Sequence, residues 1–501
     1  MIVSLLANDS LALDQMFHPD SVLRQDPRSS TTLIEEVAIL IRFGDDVLLN
    51  ITKTNDVYKT GLDAVDEILK NANIIHIAPL FNGAKRKFNK EYIKTFAGQE
   101  IEIPNLHHIY RIKTGEQTYE LFQLIEQLKL QKEVVYAEPN YIQSLTSIVP
   151  AGQAMTADEV EAYFEKDGKH TKQTDAFVPN DPLYGQQWYI PAVKADLVWD
   201  SINGKDTTQV IAILDTGVDW LHPDLQNKIW RNTGEIPDNG MDDDGNGKVD
   251  DVRGWDWINN DNNPTDDNSH GTHVAGIAAA QQNNSIGISG ISPGAKIMPL
   301  KVFQSSGRGN TADITEGIIY ATQKGATVIN MSFGTYAKSY TMEAALVNAY
   351  ASTILVAAAG NDNTYIVPEL DCSRQAGLPF YPAAFSFVLG VQDNANCRLG
   401  FSNYDPDPIQ SDYYDLLNYE IKAPGSNILS TIPGGGYRAY QGTSMATPIV
   451  AGLSGIYKSL KPLDSQELLW ANYIYTSNGY INGFEALHVI PVPKLMIVNR
   501  T

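Results

Sequence analysis

Five short apolar segments in the second half of the chain constrain its fold most strongly. Each is nearly continuous in hydrophobicity, as in strands buried on both faces of a parallel sheet. The segments are 210–214, 297–302, 327–331, 353–358 and 387–391. Candidate helices rich in small residues lie between them, at 270–280, 312–324 and 342–352. The alternation predicts an α/β fold with a doubly wound, mostly parallel sheet, whose site lies at the carboxyl ends of the strands.

The region before these segments has a different pattern and predicts a small α+β unit over 33–142. Strand-like stretches at 36–42, 108–112 and 134–138 surround a helix over 117–130, whose apolar residues recur at helical spacing. The polar stretch that follows predicts a linker or processing region. The expected division is 1–32 N-terminal extension, 33–142 small unit, 143–178 linker, 179–489 large α/β domain, and 490–501 tail or start of a further domain.

The net charge of −22 excludes a typical nucleic-acid binder, because the chain lacks clustered Lys and Arg to displace counterions from phosphates. It fits a protein that binds cations, although a solvated acidic surface explains it equally well.

No apolar run approaches the roughly 20 residues that span a bilayer. The apolar start, residues 1–7, is too short for a complete secretory signal, so the signal is absent or has been removed. Cys372 and Cys397 are either two separate thiols or one disulfide formed in an oxidising compartment.

Two short motifs carry a candidate nucleophile and a candidate base. Ser444 stands in Gly-Thr-Ser-Met-Ala-Thr-Pro ahead of a small, apolar run, where a first helical turn exposes unpaired N–H groups; an ordinary N-cap serine is the alternative. His270 stands in Ser-His-Gly-Thr-His and opens a helix of very small residues. A metal site that uses His270 and His273 is the weaker alternative, because no third ligand follows at the usual spacing. We therefore interpret His273 as structural.

Two further motifs supply a carboxylate and an amide. Asp215 follows the apolar segment 210–214, at the end of a predicted strand; a turn-forming Asp is the alternative. Asn361 follows the small-residue segment Val-Ala-Ala-Ala-Gly, from which its side-chain N–H can reach an oxyanion.

Together the four motifs resemble those of the subtilisin-like serine proteases (subtilases), whose chain order is Asp, His, Ser. The resemblance covers about residues 179–489. It implies that Ser444 is the nucleophile and that His270 is the general base, oriented by Asp215. It also implies that Asn361 and the Ser444 N–H hold the oxyanion, and that the substrates are proteins or peptides.

The resemblance also implies a substrate-binding set. An extended substrate would pair with Ser332, Phe333 and Gly334, and Ala358 with Gly360 would form a wall of the main specificity pocket. Thr335 departs from the family, where Gly is usual. Phe380, which precedes a Tyr-Pro pair, would shorten the pocket and favour small or medium apolar side chains; alternatively it is a core residue beneath the loop.

Structural calcium is implied at two places. The first set resembles the calcium loop of the family and comprises Asp181, Asp224, Gln282, Asn284, Ile286 and Ile288. The second resembles an EF-hand loop and comprises Asp242, Asp244, Asn246, Lys248, Asp250 and Asp251, with Arg253 where the bidentate Glu would stand. An exposed Asn-rich turn and a solvated acidic loop are the respective alternatives.

The 33–142 unit resembles the inhibitory propeptide of the same family, most closely over 135–141. It would lay its tail through the active site until a cut within 142–178 releases a domain that starts just before Pro179; a permanent accessory domain is the alternative.

The expectation is a secreted, monomeric serine endopeptidase that is made as an autoprocessed zymogen, with structural Ca²⁺ and no organic cofactor. A catalytically silent subtilase-like binding module is the alternative, and a calcium-binding adhesion module would explain the acidic loop but not the triad.

Overall fold

The structure is a computed structural model, and it describes twelve stretches of the chain. They are residues 37–54, 57–81, 90–95, 100–115, 118–146, 149–150, 177–202, 209–363, 379–393, 402–403, 421–462 and 481. The cysteines, most of the predicted linker, the first 36 residues and the C-terminal tail all lie outside these ranges. No helix in the described ranges is long and apolar enough to cross a membrane.

The N-terminal unit is built on an antiparallel sheet of four strands in the order β4-β7-β1-β8. Its strands are β1 (Ala38–Phe43), β2 (Thr52–Thr54), β3 (Val57–Lys59), β4 (Ile74–Pro79), β5 (Tyr92–Lys94), β6 (Glu100–Glu102), β7 (Ile109–Thr114) and β8 (Val134–Pro139). Its helices are α1 (Asp63–Leu69), α2 (Thr118–Lys129) and a 3₁₀ turn at Leu106–His108.

The two faces of this small sheet pack differently. Ile39 and Ile41 of β1 join the helix residues Val65 and Leu121 in a local apolar core. Leu40 points to the opposite face, as strand alternation requires, and belongs to the core of the following unit. The two units are therefore packed together through apolar side chains.

Two short strands follow the N-terminal unit, β9 (Ile142–Leu145) and β10 (Val149–Pro150). The remaining strands are β11 (Val210–Asp215), β12 (Trp255–Asp256), β13 (Lys296–Lys301), β14 (Arg308–Asn310), β15 (Val328–Met331), β16 (Phe333–Gly334), β17 (Ile354–Ala358), β18 (Leu389–Asp393), β19 (Ile421–Ala423), β20 (Ile428–Ile432) and β21 (Gly436–Gln441). The helices of this unit are α3 (Tyr189–Ala192), α4 (Ala195–Ile202), α5 (His270–Ala279), α6 (Thr311–Gln323), α7 (Tyr340–Tyr350) and α8 (Thr443–Leu460), with a 3₁₀ turn at Tyr184–Gln186.

The central sheet has seven strands in the order β12-β13-β11-β15-β17-β18-β19. Every neighbouring pair is parallel, and the strands are buried on both faces, as their apolar sequences predict. The predicted α/β class is confirmed. The segment predicted at 387–391 forms a strand two residues later, because the Val388 N–H donates to the Phe385 carbonyl in a turn (2.9 Å).

The predicted linker begins differently from the expectation. Residues 143–145 belong to β9, which pairs antiparallel with both β14 and β16, and the Gln143 side chain is fully buried. Backbone hydrogen bonds hold this segment, so its sequence needs no core-forming pattern. Residues 151–176 lie outside the described ranges.

Candidate active site

Asp215 and His270 lie together at the carboxyl ends of the strands of the central sheet. β11 ends at Asp215 and α5 begins at His270, and both side chains are fully buried. His270 Nδ1 lies 2.8 and 2.9 Å from the two carboxylate oxygens of Asp215. His270 Nε2, the other ring nitrogen, makes no hydrogen bond within the described part of the chain. The pair therefore presents one imidazole nitrogen for proton transfer.

Gly271 permits this close approach of helix and strand. A Cβ at Gly271 would lie 2.0 Å from the Gly217 carbonyl oxygen, a distance that excludes any larger residue without movement of the backbone. The small residue beside His270 thus lets α5 begin directly against the end of β11.

Ser444 lies in the first turn of α8, a helix that packs against α5. Its hydroxyl donates to the Ser332 carbonyl oxygen (2.9 Å) and forms a further hydrogen bond with Thr146 Oγ1. Ser332 Oγ in turn donates to the Ser444 carbonyl (3.0 Å). Ser444 is therefore tied to the end of β15 and touches the chain segment that follows the N-terminal unit.

Asn361 lies beside the start of α8. Its Oδ1 accepts hydrogen bonds from the backbone N–H and the hydroxyl of Thr443, both at 2.9 Å. A Cβ placed on Gly442 would lie 2.9 Å from Asn361 Nδ2 and 3.7 Å from the Ser444 nitrogen. Asn361 Nδ2 and the Ser444 backbone nitrogen therefore both lie close to Gly442, at the start of α8.

His273 follows His270 on α5 but has a different environment. Its Nε2 donates to the Arg438 carbonyl (2.9 Å), and its ring stacks on Tyr440 with centroids 4.4 Å apart. Desolvation by burial lowers the pKa of His273 to about 3. A neutral, packed ring fits the structural role expected from the sequence.

Phe380 lies between Gly334, which is expected to pair with an extended substrate, and Gly360, which is expected to form a wall of the specificity pocket. A Cβ on Gly334 would be 2.3 Å from Phe380 Cε1, and one on Gly360 would be 3.2 Å from Phe380 Cδ1. The ring is almost fully buried and contacts Tyr336 edge to face, with centroids 5.0 Å apart. Ala358 is buried at the end of β17. Phe380 therefore fills space between Gly334 and Gly360, and it is also part of the core.

The segment predicted to pair with an extended substrate is paired with the chain itself, through Phe333 and Gly334. β9 lies between β14 and β16, with Gly309 opposite Gln143, Phe333 opposite Leu145, and Gly334 opposite Ser144. Beyond Thr146, β10 pairs antiparallel with β21. Strand pairing therefore holds the chain on both sides of Thr146, at 142–145 and at 149–150, and Thr146 contacts Ser444.

The N-terminal unit also caps two helices of the large unit. The Glu138 carboxylate accepts from the Tyr340 N–H (2.9 Å), the Thr341 N–H (2.9 Å) and Ser339 Oγ (2.8 Å) at the start of α7. Asn140 Oδ1 accepts from the Ala312 N–H (2.9 Å) at the start of α6. A carboxylate is favourable at a helix N-terminus, where N–H groups are unpaired and the helix dipole is positive. The sequence does not predict these contacts, because they join residues roughly 170–200 positions apart.

The first calcium-type set converges in part. The Asp181 carboxylate accepts from the backbone N–H of Asn283 and Asn284, and Asp224 accepts from Asn284 Nδ2 and the Ile288 N–H, at distances of 2.8–2.9 Å. Both carboxylates are buried, and neither is paired with a Lys or Arg in the described part of the chain. Desolvation raises the pKa of Asp181. Two buried anions without a cationic partner fit a hard cation such as Ca²⁺.

Two other residues of the predicted first set are placed differently. Gln282 donates to Ser289 Oγ (3.0 Å), and the Ile286 side chain is exposed.

The acidic loop brings together a different set from the EF-hand pattern. Carboxylate oxygens of Asp242, Asp244 and Glu235 all lie within 4.8 Å of one another. Glu235 is 7% exposed, and its Oε2 is buried without a hydrogen-bond partner among the described residues. An orphaned carboxylate oxygen beside two other carboxylates fits a bound cation. Glu235 precedes the loop and has no place in the motif, so the pattern alone does not identify it.

The other residues of the acidic loop have other partners. Asp250 accepts from the backbone N–H groups of Asn239 (3.1 Å) and Gly240 (2.9 Å), and Asn246 Nδ2 donates to Asp251 (2.8 Å). The Lys248 ammonium lies over the rings of Trp255 and Trp257. The side chains of Asp250 and Lys248 therefore point to partners outside the Glu235 cluster.

The comparisons agree with this geometry. The model of the subtilase family of S8 peptidases matches residues 206–484, which include Asp215, His270, Asn361 and Ser444. The chain belongs to the subtilase family. Its class is therefore that of the subtilisin-like serine peptidases.

Two curated relatives are each 36% identical to the chain over 288 residues. The match to the thermophilic serine proteinase of Bacillus sp. (strain AK1) covers 57% of this chain and 60% of that protein. The match to thermitase of Thermoactinomyces vulgaris covers 56% of this chain and 86% of thermitase. The chain thus spans less than two thirds of the first of these relatives.

A solved structure shows the same fold over most of the chain. It is fervidolysin from Fervidobacterium pennivorans, described as a keratinolytic enzyme related to subtilisin. The TM-score is 0.62 at 23% identity, over 91% of this chain and 62% of fervidolysin. This similarity supports the subtilisin-like fold.

Proposed function

We propose that this subtilase is a secreted serine endopeptidase, made as an inactive precursor that its own active site processes. The observation that carries the proposal is the extended segment that lies across the site, with Thr146 hydrogen-bonded to Ser444. Subtilases use an extended substrate strand, and an occupied groove is what an inhibited precursor requires. We also propose that the enzyme is a monomer and acts on protein or peptide substrates.

The reaction follows from the side chains present. Ser444 Oγ attacks the carbonyl carbon of the scissile peptide while His270 Nε2 takes its proton. Asp215, at 2.8 Å from His270 Nδ1, fixes the ring orientation and stabilises the charged imidazole. Asn361 Nδ2 and the Ser444 N–H hold the oxyanion. His270 then gives the proton to the leaving amine, and water hydrolyses the acyl-enzyme on Ser444.

We propose the Thr146–Ser147 bond as the processing site. Gly334 lies opposite Ser144 and Phe333 lies opposite Leu145, so the next residue, Thr146, falls opposite Ser332. The Ser332 carbonyl is bound to the Ser444 hydroxyl, and the Thr146 side chain contacts the same hydroxyl. Because Thr146 is the residue of this segment that contacts Ser444, we assign the scissile carbonyl to it.

Purified wild-type chain should convert itself into two fragments, one ending at Thr146 and one beginning at Ser147. The Ser444→Ala chain should stay full length under the same conditions. Intact-mass spectrometry over time follows both. A wild-type chain that is active on peptides but never loses the N-terminal unit would make that unit an accessory domain.

A fragment of residues 33–146 should inhibit the processed enzyme, because Glu138, Asn140 and β9 all contact the large unit. The same fragment with Glu138→Ala should inhibit at least about 10-fold more weakly, since it lacks a carboxylate with three hydrogen-bond donors. Glu126→Ala is a matched control, because Glu126 on α2 is an exposed carboxylate that pairs with Lys129 on the same helix. Equal inhibition by all three fragments would argue against a propeptide role for this interface.

We propose that Phe380 restricts the pocket and that the enzyme prefers small side chains before the cut, as Thr146 exemplifies. In Phe380→Gly the space between Gly334 and Gly360 should open, and aromatic residues should gain in kcat/KM relative to Thr and Ala by at least about 10-fold. A peptide library profiled with both enzymes measures this. If the two profiles coincide while both proteins remain folded, Phe380 is only a core residue.

We propose that Ca²⁺ stabilises the enzyme through two sets, Asp181 with Asp224 and Glu235 with Asp242 and Asp244. When bound, the ion would neutralise these clustered carboxylates and favour the native state. EDTA should lower the melting temperature of the Ser444→Ala chain, which cannot digest itself, and Glu235→Gln should remove part of that response. A melting curve that EDTA leaves unchanged would discard both assignments.

A further inference from the structure

The geometry points to Asp266 as a positioning residue for the proposed triad. We propose that Asp266, acting through the hydroxyl of Thr216, locks the end of β11 to the start of α5 and so fixes Asp215 against His270. This inference rests on the catalytic roles proposed above. Asp266 contacts no reacting atom and is separate from the set of catalytic residues.

Asp266 is a buried carboxylate that accepts five hydrogen bonds. One oxygen accepts from Thr216 Oγ1 (2.8 Å) and from the backbone N–H groups of Asn268 (2.9 Å) and Ser269 (3.0 Å). The other accepts from the N–H (2.9 Å) and hydroxyl (2.6 Å) of Thr272. These donors lie on both sides of His270 in the chain. The carboxylate therefore holds the first turn of α5, where charge-assisted hydrogen bonds to unpaired N–H groups are strongest.

Thr216 connects this carboxylate to Asp215. Its hydroxyl proton has two acceptors within reach, Asp266 at 2.8 Å and Asp215 at 3.3 Å, and the shorter bond goes to Asp266. The same hydroxyl accepts from the Gly271 N–H (3.1 Å), while the Thr216 N–H donates to Asp215 Oδ1 (2.7 Å). Thr216 thus links three groups. They are the Asp215 carboxylate, the Gly271 N–H and the Asp266 carboxylate.

The carbonyl of Thr216 is fixed as well. The buried Lys301 ammonium donates to this carbonyl (2.7 Å) and to Asp267 (2.6 Å), the neighbour of Asp266. Because the N–H, hydroxyl and carbonyl of Thr216 are all bound, the strand end has little freedom to shift. A change at Asp266 or Thr216 would loosen the Asp215–His270 contact without touching the substrate groove.

Thr216→Val and Asp266→Asn should each lower kcat by about 10-fold to 100-fold at nearly unchanged KM, the cost of misplacing a catalytic group. Thr216→Ser keeps the hydroxyl and should restore most of the activity. The double variant should lose little more than the worse single variant, since both changes break one link. The substrate is a peptide of residues 142–150, and rates are normalised by titration with a fluorophosphonate.

Thr353→Val is a matched control for the loss of a buried hydroxyl. Thr353 immediately precedes β17, at the amino end of the strand and therefore at the opposite end of the sheet from the triad. Its hydroxyl donates to the Ala326 carbonyl (3.1 Å). It should reduce thermal stability without lowering kcat. If wild type cleaves the peptide but Thr216→Val and Asp266→Asn stay within twofold of its kcat, Asp266 has no positioning role. If wild type is itself inactive, the proposed function fails instead.

Discussion

Ser444→Ala should reduce kcat about 10⁶-fold and leave the fold intact. The change removes the nucleophile and places a small methyl group where the hydroxyl contacts the Ser332 carbonyl and Thr146 Oγ1, so it adds no polar atom that must be buried. His270→Ala should fall to a similar level, and the double variant should be no worse, because the two residues act in one proton transfer. Kinetics on a small peptide substrate with matched melting curves test this.

Activity of either single variant within about 10-fold of wild type would contradict the mechanism, because nucleophilic catalysis cannot survive the loss of its nucleophile. Additive losses in the double variant would show that Ser444 and His270 act independently, which the proposed proton transfer does not allow.

Asn361→Ala should lower kcat by about 10²–10³-fold with little change in KM. The side-chain N–H binds an oxygen that becomes charged only as the tetrahedral intermediate forms, so its loss affects the transition state more than the bound substrate. Asn361 Oδ1 also accepts two hydrogen bonds from Thr443, the residue before Ser444, so the side chain has a second role in holding the start of α8.

Asn361→Asp separates these two roles. It retains an acceptor for Thr443 but replaces the donor with a second, negatively charged oxygen, so it should be at least as inactive as Asn361→Ala. Recovery of activity in Asn361→Asp would assign the residue to anchoring Thr443 and not to the oxyanion.

The central sheet could be predicted from the sequence because its strands are buried on both faces. Residues 210–214 and 354–358 are apolar throughout, and so short an apolar run is typical of a strand buried inside a parallel sheet. The positions of Asp215 and Asn361 follow from these strands, because Asp215 is the last residue of β11 and Asn361 lies three residues after the end of β17. The motifs around His270 and Ser444 are short and continuous in sequence, so they too could be recognised without knowledge of the fold.

Contacts that depend on backbone geometry could not be predicted. β9 is held between β14 and β16 by main-chain hydrogen bonds, which leave no apolar pattern in residues 142–145. Glu235 joins Asp242 and Asp244 only when the chain folds back, and the loop motif does not include it. Asp266 is adjacent to a second aspartate, and nothing in that pair indicates which carboxylate faces Thr216.

Labelling of the processed wild-type enzyme with a fluorophosphonate tests the account most directly. The reagent phosphonylates a serine only where a base and an oxyanion site activate it. Peptide mapping should find one modified residue, Ser444, with no label on Ser444→Ala and a greatly reduced rate on His270→Ala. An unlabelled wild type, or a label on another serine, would contradict the assignment of Asp215, His270 and Ser444 as the catalytic triad.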